Sequence, residues 1–417
     1  MLESQLHLKT QKELPRDETS VNASLLIRAG FIEKLTAGVY NFLPLGLRVL
    51  NNIESIIREE MIQMKGEEIL MASLHPKKNW QITKRWQQFN ALFKTKSRFG
   101  QEYALGPTHE EVVTPLAQRL ISSYRDLPLY LFQIQTKFRD EPRPKSGLLR
   151  GKEFIMKDLY SFHQNEKDLD EYYEKMKKSY QRIFKKCGLD AVITEASGGT
   201  FSRLSHEFQV LNPEGEDLIY YCSHCGFARN KEIAQSLKKC PQCSTPLQQK
   251  RGIEVGNIFK LKDKYSHPFG LKFLDKDGKE QNVLMGCYGI GVSRLVGVIP
   301  EVHHDEKGMI WPETIAPYLI HLLYLKTGQN DQDKKTKEQA DRLYQMMQKK
   351  NRSVLYDDRE NISNGEKLVE ADLIGLPYRV IMSAKTLKNK MVEFKERKKK
   401  KAEMISERDF DKILKSK

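Results

Sequence analysis

Between Leu131 and Glu141 the side chains alternate. Phe132, Ile134, Thr136 and Phe138 fall on one face of an extended strand; Gln133, Gln135, Lys137, Arg139 and Glu141 fall on the other. A basic loop carrying Arg143, Lys145, Arg150 and Lys152 follows, and a second strand runs from about Glu153 to Phe162. Two strands joined in this way predict an antiparallel hairpin with one apolar face against a core. Its polar face is either solvated or the wall of a site, and alternation alone does not choose between them.

A chain of 417 residues corresponds to roughly two to three domains. With 39% hydrophobic and 30% charged residues it can fill a sizeable core, which excludes wholesale disorder. No apolar run approaches the ~18 to 20 residues that a membrane-spanning helix needs. Glu3, Glu13, Asp17 and Glu18 give the N-terminus neither the apolar core of a secretory signal nor the acid-poor character of a transit peptide, so a cytoplasmic location is expected. The net charge of +15 favours polyanionic partners, nucleic acid or nucleotide phosphates, with simple solubility as the plainer explanation. Lys385 to Lys417 holds 13 basic and 6 acidic residues, close to half of the excess.

Several elements are predicted along the chain. Val49, Ile53, Ile57 and Met61 mark an amphipathic helix over Leu45 to Met61, and Glu67 to Leu74 reads as a strand. Thr108 and Glu111 form a capping-box pattern after Gly106-Pro107. Asp168 to Leu189 is a helix ending near Gly188. Residues from about 250 to 300 are strand-rich and end in a glycine-dense turn and helix, GCYGIGVSRLVG. Beyond Pro312 strands and helices alternate: Leu319 to Leu325, Lys334 to Lys349, Ser353 to Tyr356, Glu366 to Ile374, Arg379 to Met382, and Met391 to Lys395. These divide the chain into 1–313 and an α/β unit 314–417.

Cys222-x2-Cys225 and Cys240-x2-Cys243 form two knuckles whose thiolates suit tetrahedral zinc, with thiol redox chemistry as the alternative. They fall in the short interval 217–252. Cys187 and Cys287 read as unpaired thiols.

In their order, LTAGVYNFLPLGLRVLNNIESIIREEM, GPTHEEVVTPL, QTKFRDEPRPKSGLLRGKEFIMKDLYSFH, SHEFQV, MGCYGIGVSRLVG and VLYDDRE resemble the signature segments of the class II aminoacyl-tRNA synthetases, most closely the bacterial-type prolyl family. The resemblance covers nearly the whole chain. It implies an α+β protein: an antiparallel-sheet catalytic domain with a small four-cysteine insertion, followed by an α/β anticodon-binding domain. It further implies ATP-dependent attachment of proline to tRNA(Pro) through prolyl-adenylate, with Mg2+ accompanying ATP, a structural Zn2+ in the cysteine knuckles, and a homodimer. In that reaction negative charge builds on phosphate oxygens, so fixed cations matter more than a nucleophile. By resemblance Arg139 clamps the α-phosphate, Arg294 meets the far phosphates, and Arg150 reaches the triphosphate or the acceptor end. Phe154 stacks on adenine, Glu141 is an adenine or metal-side contact, and Gly286, Gly289 and Gly291 let backbone approach the nucleotide. Thr108, Glu110, Arg139, His163 and His206 surround proline, Glu110 and Thr108 accepting from its secondary ammonium. Asp357, Asp358, Arg359 and Lys367 are candidate readers of anticodon guanines. Plainer readings remain beside these: Arg139 as a solvated strand charge, Phe154 as core, His206 as structural, and the anticodon group as a charged turn.

Departures from the family pattern are also visible. The interval 217–252 is short where bacterial-type members carry a large editing insertion, so Ala-tRNA is expected to form without being cleared in cis. Ala72 stands where proline is usual, and Lys84-Arg85 where Gly-Arg is usual. Two alternatives stand beside the main reading: a sister synthetase for threonine, serine, glycine or histidine, and a catalytically inactive relative serving as an RNA-binding accessory.

Overall fold

The two strands of the predicted hairpin are neighbours within a nine-stranded sheet in the computed structural model, which describes residues 1–417 apart from 8, 14–17, 19, 143, 145, 235–236, 407–408, 411 and 413–417. Arg143 and Lys145 of the basic loop therefore lie outside the described residues, as does the end of the basic tail. Two compact units are present. One comprises Leu35–Tyr40 and Ile53–Val298, the other Met1–Lys34, Asn41–Asn52 and Ile299–Lys417. The predicted first helix is α1, Pro44–Gln63, with Val49, Ile53, Ile57 and Met61 all fully buried along its stripe.

In the larger unit the sheet is built from β1 (Glu67–Glu68), β2 (Leu129–Phe138), β3 (Glu153–His163), β4 (Ala191–Ser197), β5 (Leu204–Leu211), β6 (Asp217–Tyr221), β7 (Ala228–Asn230), β8 (Gln248–Lys262) and β9 (Leu284–Gly291). Their order is β5-β4-β7-β6-β8-β9-β3-β2-β1, with β5 also pairing β8. Every pairing is antiparallel except β4 with β7 and β1 with β2. The predicted strand Glu67 to Leu74 is split: Glu67 and Glu68 pair with β2, and Leu74 pairs with Leu105 in a separate small sheet. Helix α2 (Glu110–Ala117) follows Thr108, and α3 (Glu166–Lys186) covers one face of the sheet, placing Tyr173 and Tyr180 against it. The glycine-dense segment is strand rather than turn: Gly286, Gly289 and Gly291 lie in β9 between β3 and β8, and α4 (Val292–Val302) begins at the next residue.

The second unit carries a five-stranded sheet of β10 (Ile320–Tyr324), β11 (Val354–Asp357), β12 (Tyr378–Met382), β13 (Val392–Glu396) and β14 (Glu403–Ile405), ordered β11-β10-β12-β13-β14. Helices α5 (Asn330–Lys349) and α6 (Asn364–Ile374) complete it. Much of the polar stretch TGQNDQDKK is the first turn of α5, where Asp331 and Asp333 suit the positive helix end. The basic run 397–402 is not a free tail. It turns between the antiparallel strands β13 and β14.

Candidate active site

The sheet's period of two decides which side chains reach the site. On β3, Phe154, Met156 and Asp158 point to one face and line a cavity of about 220 Å3. Thr108, Arg139, Glu141, Arg150, Gly289, Gly291 and Arg294 line it too, so eight sequence-predicted residues meet in one place. A second cavity of about 270 Å3 shares Arg139, Glu141, Arg150 and Arg294, adding Glu216, Asp217 and Glu254.

Arg139 leaves the end of β2 with its amide donating to Lys152 O (2.8 Å). Its guanidinium sits 5.1 Å from the Phe154 ring centre and makes one long contact, 3.5 Å, to Pro107 O. Its Nε has no hydrogen-bond partner, and among the described residues no carboxylate lies within ion-pair distance of it. Burial, then the neighbouring Arg294 charge, lowers its pKa. Arg294 donates to Glu254 O (2.8 Å) and Glu254 Oε2 (3.3 Å). Arg150 is half-exposed and pairs with Glu141 (2.9 Å) and Glu216 (3.3 Å). Two arginines brought from sequence positions far apart, one of them without a counter-charge, prepare this space for an anion of several charges.

Behind Thr108 the wall is acidic and dry. Thr108 donates its hydroxyl to Glu110 Oε2 at 2.6 Å, and Glu110 is completely buried. The predicted capping box is absent: His109 is the N-cap of α2 without a side-chain bond, because Thr108 turns to Glu110 and Glu111 turns to Arg85 and Thr83. Lys137, on the same face as Arg139, is buried and paired with Asp158 Oδ1 at 2.7 Å. Phe201 and Phe259, with ring centres 4.9 Å apart, supply the apolar end.

Three sequence expectations are corrected by strand parity. His163 lies on β3 one residue out of phase with Phe154 and Asp158. It faces α3, its ring nitrogens 2.8 Å from Asp168 Oδ2 and 2.8 Å from Ser161 Oγ. His206 also faces α3, with Nδ1 2.8 Å from the Tyr173 hydroxyl, and burial lowers its pKa to about 4. Neither lines the cavity. Gly286 faces the same way: a Cβ there would come within 2.5 Å of Tyr288 Oη and 2.7 Å of Ser161 Oγ, so packing rather than a ligand demands glycine. The SHEF residues on the other face are Ser205 and Glu207, neither of which lines either cavity, and sequence reading singled out neither. Glu207 Oε2 accepts from Gln209 (3.0 Å), and burial, then Glu254, pushes its pKa up to about 8. Asp158, Asn257, Glu254 and Phe201 were missed as well, although two-residue spacing from Phe154 already pointed to Asp158.

In the second unit the candidate base readers form an internal ion network. Asp357 and Lys367 are buried, Lys367 donating to Tyr324 O (3.0 Å) and Asp357 O (3.1 Å). Arg359 Nη2 reaches Asp357 (2.8 Å), Glu370 (2.6 Å) and Glu3 (3.1 Å). Asp357 and Lys367 are thus withdrawn as guanine contacts, since their polar atoms are consumed inside the fold. Asp358 accepts from Ser4 and, with Arg359, borders an open cavity of about 540 Å3.

The four cysteines converge, with all Sγ atoms within 4.8 Å of one another. Cys222 to Cys243 and Cys225 to Cys240 are each 3.5 Å, and Cys243 to Cys225 is 3.6 Å. Sulfurs 2.3 Å from a tetrahedral zinc lie about 3.8 Å apart, so the donor set and spacing fit that ion. The knuckles match in their backbone bonds: Gly226 and Ser244 donate to the carbonyls of Cys222 (3.0 Å) and Cys240 (2.9 Å).

Residues 93–303 match the tRNA synthetase class II core domain (G, H, P, S and T) family, and residues 321–417 the anticodon binding domain family. A proline–tRNA ligase of a Wolbachia strain from Drosophila simulans is 42% identical over 409 positions, covering 94% of each chain. The chain belongs to the proline–tRNA ligase family. A Sulfurihydrogenibium member is 35% identical, covering 95% of this chain and 96% of its own. That alignment runs over 547 positions, more than the 417 residues here, so that family member holds inserted residues which this one lacks. Among solved structures, a Giardia lamblia prolyl-tRNA synthetase in complex with prolyl-adenylate superposes with a TM-score of 0.78 at 20% identity, covering 93% of this chain and 74% of that one. A Cryptosporidium parvum prolyl-tRNA synthetase complexed with halofuginone and AMPPNP gives 0.78 at 18% identity, covering 95% and 77%. The fold is that of a class II synthetase core followed by an anticodon-binding domain, and the family's reaction is the aminoacylation of tRNA with proline. No described helix is long and apolar enough to cross a membrane.

Proposed function

We propose that the cavity between β2, β3, β8 and β9 takes ATP and proline together and works in two steps. A proline carboxylate oxygen attacks the α-phosphorus, forming prolyl-adenylate as the bond to pyrophosphate breaks. A terminal ribose hydroxyl of tRNA(Pro) then attacks the acyl carbon and AMP departs. Arg139 holds the α-phosphate, Arg294 the far phosphates and Arg150 the triphosphate or the acceptor end. Phe154 stacks on adenine, beside Glu141. Thr108 and Glu110 receive the secondary ammonium. Positioning and fixed charge carry the rate, because the site presents no protein nucleophile in this scheme. The observation that carries the reading is the meeting of Arg139 and Arg294 on one cavity that also holds Phe154 and Thr108.

The carboxylates of Asp217 and Glu254, hard oxygen donors on the second cavity, would hold Mg2+, which neutralises phosphate charge when bound. Cys222, Cys225, Cys240 and Cys243 would hold a structural Zn2+. Residues 1–313 act as the catalytic domain and 314–417 as the anticodon-binding domain, whose Asp358 and Arg359 remain the candidate base contacts. The enzyme works in the cytoplasm as a homodimer. The dimer is favoured by Leu70 (76% exposed), Ile62 (57%) and Leu74 (49%) around the edge strand β1. The short interval 217–252 and the inserted residues that the Sulfurihydrogenibium member has and this chain lacks favour an enzyme without cis clearing of Ala-tRNA. ATP–pyrophosphate exchange with proline, run beside threonine, serine, glycine and histidine, tests the reading; no exchange with proline would refute it.

A further inference from the structure

Arg85 is one cation between two buried carboxylates. Its exposure is 4%, while Glu110 and Glu111 have none. A single nitrogen, Nη1, carries all its ionic contacts: Glu111 Oε1 (2.9 Å), Glu111 Oε2 (3.1 Å) and Glu110 Oε2 (3.4 Å). Nε and Nη2 have no acceptor among the described residues. The guanidinium is instead surrounded by rings, with centres 5.1 Å (Trp80), 4.9 Å (Phe89), 4.9 Å (Phe201) and 5.5 Å (Tyr265) away. Such a cage fixes a cation without consuming a carboxylate.

The charges do not balance. Lys137 is matched by Asp158, and Arg85 can match only one of its two neighbours. Arg85 lies closest to Glu111, which also accepts from Thr83 Oγ1 at 2.8 Å. Glu110 keeps Oε1 without an N–H or O–H donor; its remaining neighbour is the Cys287 thiol on the cavity wall. Among these contacts one carboxylate is therefore left without a cation of its own, next to Thr108 of the cavity; Arg139 acts on it through space but makes no ion pair with it.

We propose that Arg85 and Glu111 are positioning residues that set the charge of the amino-acid pocket: Arg85 is held by Glu111, which leaves Glu110 as an uncompensated carboxylate for the ring ammonium of the substrate. The inference rests on the reading that this cavity takes proline. It makes the pocket select a cationic ring nitrogen over an uncharged isostere. Burial and Glu110 push the Glu111 pKa up to about 7 against the pull of Arg85, as expected for a couple one cation short.

Glu111→Gln tests this, because Arg85 is then left with Glu110 alone and the pocket becomes neutral. In pyrophosphate exchange the KM for proline should rise by roughly tenfold or more, about 1.4 kcal/mol, with the KM for ATP unchanged. The inhibition constant of tetrahydrofuran-2-carboxylate, which carries a ring oxygen in place of the ammonium, should stay where it is. The double variant R85Q/E111Q restores the leftover charge and should recover the preference for proline over the oxygen analogue. Arg85→Lys should keep that preference. A purely structural role predicts equal weakening of proline and analogue in E111Q, or a lower Tm with KM unmoved, and either result overturns the proposal, as does a double variant or R85K that loses the preference. A wild-type chain giving no proline-dependent exchange defeats the reading of the cavity instead.

Discussion

The Arg139 guanidinium rests 5.1 Å from the centre of the Phe154 ring, supported by a π face and, among the described residues, by no carboxylate. Its donors stay available to an anion, and only a planar group can both stack and present a fork. Arg139→Lys should therefore be as damaging as Arg139→Ala. Proline-dependent pyrophosphate exchange is expected to fall by at least about 100-fold in both, with the fold unchanged by circular dichroism. Near-normal exchange in the lysine variant would remove Arg139 from the phosphate site.

Purified chain is expected to carry one zinc per molecule by metal analysis. Removing it with a chelator, or replacing buried Cys240 by serine, should lower Tm, because the knuckles hold almost no apolar core of their own. Metal-free protein with an unchanged Tm would show that the cysteines serve another purpose.

Glu207 gives stability a pH slope of definite sign. Its folded pKa, about 8, lies above the unfolded value of about 4.3, so the buried acid favours folding below that value. This contribution is lost as pH rises through 8. Glu111 acts with the same sign, so the test is a difference. Urea unfolding of Glu207→Gln should decline less between pH 5 and pH 8 than wild type, as an order-of-magnitude window about these two values. Parallel curves would refute the assignment.

Lys398, Lys399, Lys400 and Lys401 lie in the turn outside the β13–β14 ladder, so neutralising them to glutamine should leave the hairpin intact. The change should reduce the salt slope of tRNA binding by roughly one for each phosphate that a lysine no longer neutralises, without altering pyrophosphate exchange. An unchanged slope would mean that this turn does not touch RNA.

Alanine lacks only ring methylenes, worth about 1 to 3 kcal/mol, so the pocket alone rejects it weakly. The purified enzyme should form Ala-tRNA, which then decays no faster with enzyme than without. Rapid enzyme-dependent deacylation would show a clearing activity.

How much of this was readable beforehand follows from what sequence encodes locally. The hairpin, the helices and the α/β unit were legible because hydrophobic period reports on one element at a time. Arg139, Phe154 and Arg294 were legible for the same reason joined to motif order. His163 and His206 were misplaced: the expected strand stopped at Phe162, none was drawn around His206, and a residue one step out of phase points through the sheet to α3. Lys367 and Asp357 look exposed in sequence, and only tertiary packing shows Tyr324 and Arg359 taking their bonds. Arg85 stood out only as part of the Lys84-Arg85 pair where Gly-Arg is usual, and its role was hidden because its partners come from α2 and from scattered rings.

Tyr221 and Gln248 stand directly opposite each other on the last rung of the β6–β8 ladder, so the cysteine module leaves that ladder and returns to it at one rung, with β7 folding back onto β6 and β4. A detour closed at its base can lengthen, shrink or be exchanged wholesale while the two anchoring residues keep their positions. Extending such a loop raises its closure cost only logarithmically. Evolution can thus remodel this branch as a replaceable cartridge, and an engineer could splice a foreign domain there without disturbing the floor on which the nucleotide would lie.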